Sequence, residues 1–317
     1  LGEGTFRWHD DQIRTTHPQT AQNGGGIQTN SQMIMKTNMN EMIMNGLKGL
    51  ASGFDKLDAA TNGWQNGNLI VVAGRPAMGK TAFALSLVRN MAVEKKIPLA
   101  MFSLEMSKVQ LVNRLIANVS KVSIERIRSG QIAKNDWSKI ETGVSSMLGA
   151  PLYVDDSPSL SVSELRVRAH KLVRDYGVKM IIIDYLQLMN APDGSSESRQ
   201  EEVATISRSL KLLARELDIP VMALSQLNRP VEQNSSSDPD SMRPKLSDLR
   251  ESSAIEQDAD MVCLIHRPEY YKIVKDKNGN DTKGVAEIII AKHRYGAVGD
   301  VRLHFDKEQA AFTDEKN

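Results

Sequence analysis

Residues Gly74 to Thr81 read Gly-Arg-Pro-Ala-Met-Gly-Lys-Thr, which fits the spacing G-x-x-x-x-G-K-[ST] without a mismatch. The run Leu69-Ile70-Val71-Val72-Ala73 precedes it, as expected for a strand buried on both faces. From Thr81 to Glu94 the apolar residues Phe83, Leu87 and Met91 recur four apart, which predicts a helix. Strand, glycine-rich loop and helix in that order form a phosphate cradle. The glycines let the backbone curl so that its N–H groups face phosphate oxygens, and the helix adds its positive end. Gly74, Arg75, Pro76, Ala77, Met78 and Gly79 are the candidate loop residues. Lys80 is placed to reach the β- and γ-phosphates of a nucleoside triphosphate, ATP being the expected one, and Thr81 to put its hydroxyl on Mg²⁺.

Around this loop the sequence alternates strand and helix. Leu99 to Phe102, Leu152 to Val154, Met180 to Ile183 and Pro220 to Leu224 read as strands. Ser161-Val162-Ser163-Glu164 is a capping box opening a helix. Arg199 to Leu217 is a long amphipathic helix with Val203, Ile206, Leu210, Leu213 and Leu217 on one face. The alternation predicts an α/β domain, a mostly parallel central sheet flanked by helices. Near the C-terminus, Val285 to Ala291 and Val301 to Phe305 flank Tyr295-Gly296-Ala297 as a β-hairpin.

Residues 1–45 are expected to be a linker or poorly ordered arm. Thr15 to Gln32 is rich in Thr, Gln, Asn and Gly, and the methionines between Met33 and Met44 suggest a short docking helix. Residues 46–317 form the expected ATPase domain. The formal net charge of +1 in 317 residues excludes a uniformly basic polyanion binder and leaves only local patches. The single cysteine, Cys263, excludes an intramolecular disulfide and reads as a core residue. No apolar run reaches the ~18 residues of a membrane span, so a reducing cytoplasmic setting is expected.

A P-loop that hydrolyses its nucleotide needs acids. Asp184 and Asp155 both follow apolar strands. The Met180–Ile183 run suits a central strand beside the P-loop strand, so Asp184 is favoured for the metal side, whereas Asp155-Asp156-Ser157-Pro158 reads as turn chemistry. Glu105, just beyond a strand end, is a candidate base for the attacking water. Gln226, at another strand end, is a candidate to sense the γ-phosphate or link it to a loop, or equally a plain polar strand end. Lys292 and Arg294, taken alone, read as solvated hairpin-tip charges.

Several motifs follow one another in order: Gly53-Phe54-Asp55-Lys56-Leu57-Asp58, Gly74 to Thr81, Ser103-Leu104-Glu105-Met106 and Ile182-Ile183-Asp184-Tyr185-Leu186-Gln187-Leu188. They continue with Ser225-Gln226-Leu227-Asn228-Arg229, Asp248-Leu249-Arg250-Glu251, Ile255 to Asp260 and Lys292-His293-Arg294-Tyr295-Gly296. This set resembles the C-terminal ATPase domain of DnaB-type replicative DNA helicases, from about Gly53 to Phe305. The resemblance implies a RecA-like fold in a ring hexamer, ATP bound between subunits, and translocation 5′ to 3′ on single-stranded DNA. It implies that Glu105 is the catalytic base, Asp184 the Mg²⁺-side acid and Gln226 a sensor. It also implies that Arg294, with Lys292, reaches the neighbouring subunit's γ-phosphate. Arg250, Glu251 and Ser253 fall in its DNA-contacting loop, with Ser253 where the family usually has glycine and His293 where it often has glutamine. Arg199 is a further candidate for DNA contact, or equally a plain helix-start arginine. Replication-fork DNA, a primase and a helicase loader are the partners it implies, with no membrane. The loop Asn228 to Lys245 is expected to be mobile without DNA, and Asn190 to Ser198 is a second mobile-loop candidate. Residues 1 to about 45 do not resemble the family's helical N-terminal domain.

Overall fold

The structure, a computed structural model, describes residues 47–191, 198–227, 242–276 and 279–315, apart from the side chains of 250–253. The expected arm, its methionine-rich helix and most of the two expected mobile loops lie outside the described residues.

Nine strands form one sheet among the described residues, in the order β3-β2-β4-β5-β1-β6-β7-β8-β9. They are β1 (Leu69–Gly74), β2 (Leu99–Ser103), β3 (Leu152–Asp155), β4 (Met180–Asp184), β5 (Val221–Gln226), β6 (Met261–His266), β7 (Val285–His293), β8 (Gly299–Asp306) and β9 (Ala311–Asp314). The six from β3 to β6 run parallel. The last three are antiparallel. The α/β class and its mostly parallel sheet are therefore as the sequence predicts. β1, β2, β4, β5 and β6 are apolar and buried along almost their whole length, because helices cover both faces.

The helices are α1 (Asp55–Thr61), α2 (Lys80–Val88), α3 (Lys108–Ser120), α4 (Ile124–Ser129), α5 (Lys134–Met147), α6 (Val162–Tyr176), α7 (Arg199–Leu217) and α8 (Ser253–Asp258). α7 has the predicted bounds and buries Val203, Ile206, Leu210 and Leu213 in the core on one side of the sheet. Ser161 opens α6 with the predicted reciprocal capping box. On the other side, Phe83, Leu87 and Met91 join Phe54, Trp64, Phe305 and Phe312. The helix after the P-loop departs from expectation. It is α-helical only to Val88 and continues as a π-helical turn, Arg89–Glu94.

Two further differences bear on function. The sequence predicts the Met180–Ile183 strand beside the P-loop strand, but β5 lies between β4 and β1. The expected hairpin exists, and β7 joins the parallel sheet by pairing antiparallel with β6, with Met261 opposite His293. Cys263 is fully buried in β6, where burial pushes its thiol up to about 12. No helix among the described residues is long and apolar enough to cross a membrane.

Candidate nucleotide site

Because β1, β2, β4 and β5 run parallel, their C-terminal ends line one edge of the sheet. Gly74 ends β1 opposite Gln226 of β5, and Ser103 of β2 stands opposite Asp184 of β4. The predicted loop, Asp184, Glu105 and Gln226 therefore meet on one edge, where ligands of open α/β sheets bind. The P-loop needs two unusual backbone conformations, Ala77 at φ 64° and Gly79 at φ 95°. Gly79 has a second reason to lack a side chain, since a Cβ there would sit 3.2 Å from the Phe312 ring. Its carbonyl accepts the N–H of Phe83 at 2.8 Å, which opens α2.

Within this cradle the Lys80 ammonium donates to the carbonyls of Gly74 (3.0 Å) and Arg75 (3.4 Å). Burial lowers its pKa, opposed by the charges of Asp184 and Glu105. Thr81 Oγ1 donates to Asp184 Oδ2 at 2.7 Å. The first turn of α2 thus spans the two sheet spacings, about 10 Å, that separate β1 from β4. Asp184 is 1% exposed, and burial raises its pKa against the hydrogen bond from Thr81. A buried carboxylate beside a hydroxyl is an oxygen pair suited to a hard cation. No cluster of three or more His, Cys, Asp or Glu able to hold a metal occurs among the described residues.

Glu105 is exposed at the tip of a short turn after β2. Ser103 ties the base of that turn, donating to the Met106 carbonyl at 2.7 Å and accepting its N–H at 3.3 Å. The N–H of Leu104 donates to the Asp184 carbonyl at 2.7 Å, which holds the turn against β4. Asp155, the alternative acid, lies on the outermost parallel strand and is paired with Arg168 at 2.5 Å and with Ser157. It has the turn role read for it.

Arg294 and Lys292 are not at this edge. Arg294 follows β7, and its N–H donates to the carbonyl of Asp260, just ahead of β6. Its Nη1 lies 3.1 Å from Asp260 Oδ1. Lys292 Nζ donates to the carbonyls of Glu256 (2.5 Å) and Gln257 (3.2 Å) at the end of α8. Asp260 Oδ2 accepts the N–H of Leu69, the first residue of β1. Five residue steps separate Leu69 from the P-loop end of β1, about 17 Å. The two cations are therefore at the opposite edge of the sheet from this chain's own P-loop.

Of the expected DNA contacts, Arg250 and Glu251 fall in the 3₁₀ segment Leu246–Ser252, and Ser253 starts α8. The side chains of all three lie outside the described residues. The guanidinium of Arg199 is engaged by Glu202 and by the carbonyl of Gln187.

Sequence reasoning assigns no role to Gln187, Asp260 or Arg267. Gln187 Nε2 donates to Ser225 Oγ (2.9 Å) and to the carbonyl of Gln226 (3.2 Å), while its Oε1 accepts the N–H of Gln226 (3.3 Å). It fixes the backbone from which the sensor candidate projects. Arg267, at the end of β6, donates to the carbonyl of Ala77 at 3.1 Å and stacks its guanidinium 3.8 Å from the centre of the Phe305 ring. Gln187 and Asp260 stand inside recognisable motifs, and for Arg267 a charge directly after an apolar strand was the available signal.

Residues 49–314 match the family model described as the DnaB-like helicase C terminal domain. The chain is 46% identical over 266 residues to the replicative DNA helicase DnaB of Geobacillus stearothermophilus, and 48% identical over 271 residues to that of Pasteurella multocida. Each alignment covers 84% of this chain and 56% of the relative, so the chain spans about half the length of the curated relatives it matches. Among solved structures, an isolated ATPase domain superposes with a TM-score of 0.79 at 36% identity, covering 93% of this chain and 100% of that one. A DnaB-like replicative helicase, solved in a study of its interactions with primase, gives a TM-score of 0.77 at 36% identity, covering 93% and 68%. With more than half its length matched by the family model and with relatives above 40% identity, the chain belongs to the DnaB-like helicase C-terminal domain family.

Proposed function

We propose that this chain is the motor domain of an ATP-driven replicative DNA helicase that works as a ring hexamer, with each nucleotide site shared between neighbouring subunits. The observation that carries this reading is the separation of Arg294 from the P-loop along β1. One subunit holds a phosphate cradle at one edge of its sheet and an anchored arginine at the other. A head-to-tail neighbour brings the two together, and head-to-tail contacts that close make rings.

In this reading the loop from Gly74 to Gly79 wraps the phosphates with backbone N–H groups, and Lys80 exchanges its two carbonyl partners for β- and γ-phosphate oxygens. Thr81 and Asp184 would hold Mg²⁺, Asp184 through water, and the ion would neutralise charge developing on the phosphates. Glu105 orients and deprotonates the attacking water. Gln226 reads the γ-phosphate from a backbone fixed by Gln187. Arg294 of one subunit, supported by Lys292, offers a fixed planar charge to the transition state in the next. The segment carrying Arg250, Glu251 and Ser253 contacts the backbone of single-stranded DNA in the ring's channel, and Arg199 joins that contact only on leaving Glu202 and the Gln187 carbonyl. Six copies of a modest patch make a basic channel from a chain of net charge +1. Movement is 5′ to 3′, and a primase and a loader are the expected partners.

The test is ATP hydrolysis with and without single-stranded DNA, together with unwinding of a 5′-tailed fork by the assembled protein. Hydrolysis stimulated by DNA and strand separation are expected. Hydrolysis indifferent to DNA, with no unwinding, would sink the helicase reading.

A further inference from the structure

The P-loop residue Arg75 sends its side chain out of the phosphate cradle. Its guanidinium is buried, with only 8% of the residue exposed. Nη1 donates to the hydroxyl of Tyr271 at 3.3 Å and lies 4.0 Å from Met242 Sδ, and the guanidinium carbon is 5.9 Å from the centre of the Tyr271 ring. Nη2 stands 3.9 Å from Asp248 Oδ2, an ion pair too long for a hydrogen bond. Nε has no hydrogen-bond partner among the described residues. Asp248 itself shapes the 3₁₀ segment Leu246–Ser252. Its carboxylate accepts the N–H of Lys245 at 3.0 Å, and its own N–H returns to the Lys245 carbonyl at 2.9 Å. Leu249, the next residue, is anchored in the core.

A buried guanidinium has five donors to satisfy, and leaving them short of partners is costly. Among the described residues its Nε lacks a partner and Nη2 has only the long contact with Asp248, which a movement of about an ångström would turn into a charge-assisted hydrogen bond. A cause for such a movement is at hand. The carbonyl of Arg75 accepts from Lys80 here, a bond that Lys80 must give up when it turns to phosphate.

We propose that Arg75, Asp248 and Tyr271 form a link through which phosphate binding at the P-loop sets the position of the Leu246–Ser252 segment, so that Asp248 and Tyr271 are positioning residues that couple the nucleotide to single-strand binding. This rests on the proposed role of that segment in DNA contact. The link is separate from Gln226, since it leaves the P-loop through its second residue and enters the segment two residues ahead of Arg250.

The experiment uses the whole chain with Tyr271→Phe, which loses one hydroxyl, and Asp248→Asn, which loses one charge. Affinity for a fluorescent oligo-dT is measured with and without a non-hydrolysable ATP analogue, beside ATP hydrolysis with and without that DNA. Basal hydrolysis should stay within about twofold, while the nucleotide-dependent gain in DNA affinity falls by about fivefold or more. Asp248→Glu should restore part of that gain. If both variants keep the wild-type gain, or lose affinity by the same factor with and without nucleotide, the link is wrong. If the wild-type protein itself shows no nucleotide-dependent DNA binding, the DNA role of the segment falls first and the link with it.

Discussion

Arg294 Nη1 lies 3.1 Å from the carboxylate of Asp260, a residue with no exposed surface. Asp260 also binds Lys211 Nζ at 2.5 Å and the N–H of Leu69 at 2.9 Å. The arginine is therefore tied to the root of the strand whose other end carries the P-loop. A central strand paired on both sides is stiff, so a displacement at the loop has a direct route to the arginine. In a ring, that route would run from one site to the next.

Replacing Arg294 with Ala is expected to lower the turnover of ATP by about 10³-fold or more while nucleotide affinity changes only a few-fold. Steady-state hydrolysis and binding of a fluorescent nucleotide separate the two effects. Mixing Arg294→Ala with Lys80→Ala subunits should recover activity, because some interfaces then pair an intact loop with an intact arginine. Survival of hydrolysis in Arg294→Ala would remove the residue from the proposed shared site.

Asp260→Ala should cost about 3–5 kcal/mol, because it strips a buried carboxylate from Lys211, whose side chain is only 17% exposed, and leaves that ammonium without its anion. Urea unfolding of the purified protein reads this directly. The double variant Asp260→Ala with Lys211→Met should regain part of the loss, since the orphaned charge is then gone. A double variant no more stable than Asp260→Ala would mean that the ion pair is not the source of the cost.

Asp184 ties stability to function with opposite sign. Burial raises its pKa above the ordinary 3.8, so the folded chain binds a proton more tightly there than the unfolded chain does. The stability that proton confers is present below pH 3.8 and is lost as pH rises through the folded value. Asp184→Asn removes this loss and still offers an acceptor to Thr81. The nucleotide-free variant should therefore unfold at higher urea than the wild type at neutral pH, with the gap closing toward pH 4. With Asp184 on the proposed metal side, the variant should also be stabilised less by added Mg²⁺ and ATP than the wild type. Equal midpoints at neutral pH would show that Asp184 carries no such strain.

The P-loop, the strand of Asp184 and the turn of Glu105 were legible because each is written locally, as a motif beside an apolar strand. The class of the sheet was legible from the alternation of strand and helix. Strand order was not. Whether β4 neighbours β1 depends on where β5 inserts, and β5, like β4, opens with four apolar residues. Nor was the place of Arg294 legible, since it depends on β7 pairing with β6 and bringing residue 294 against residue 260. Lys211 gave no signal at all, because a lysine on the polar side of α7 looks like any solvated charge until the fold sets it against Asp260.

Glu105→Gln should separate binding from chemistry. The side chain is exposed at the tip of a turn whose geometry is held by Ser103 and Leu104, so the change should move stability by no more than about 0.5 kcal/mol. Glutamine keeps the shape and cannot take a proton, so with Glu105 as the proposed base the rate of hydrolysis should fall by about 10²–10⁴-fold. ATP affinity should hold, in contrast to Lys80→Ala, which removes the ammonium from the phosphate cradle. A single-turnover measurement on nucleotide already bound isolates the chemical step. If that step proceeds at the wild-type rate in Glu105→Gln, water is activated by another group, and the turn after β2 would serve only to shape the site.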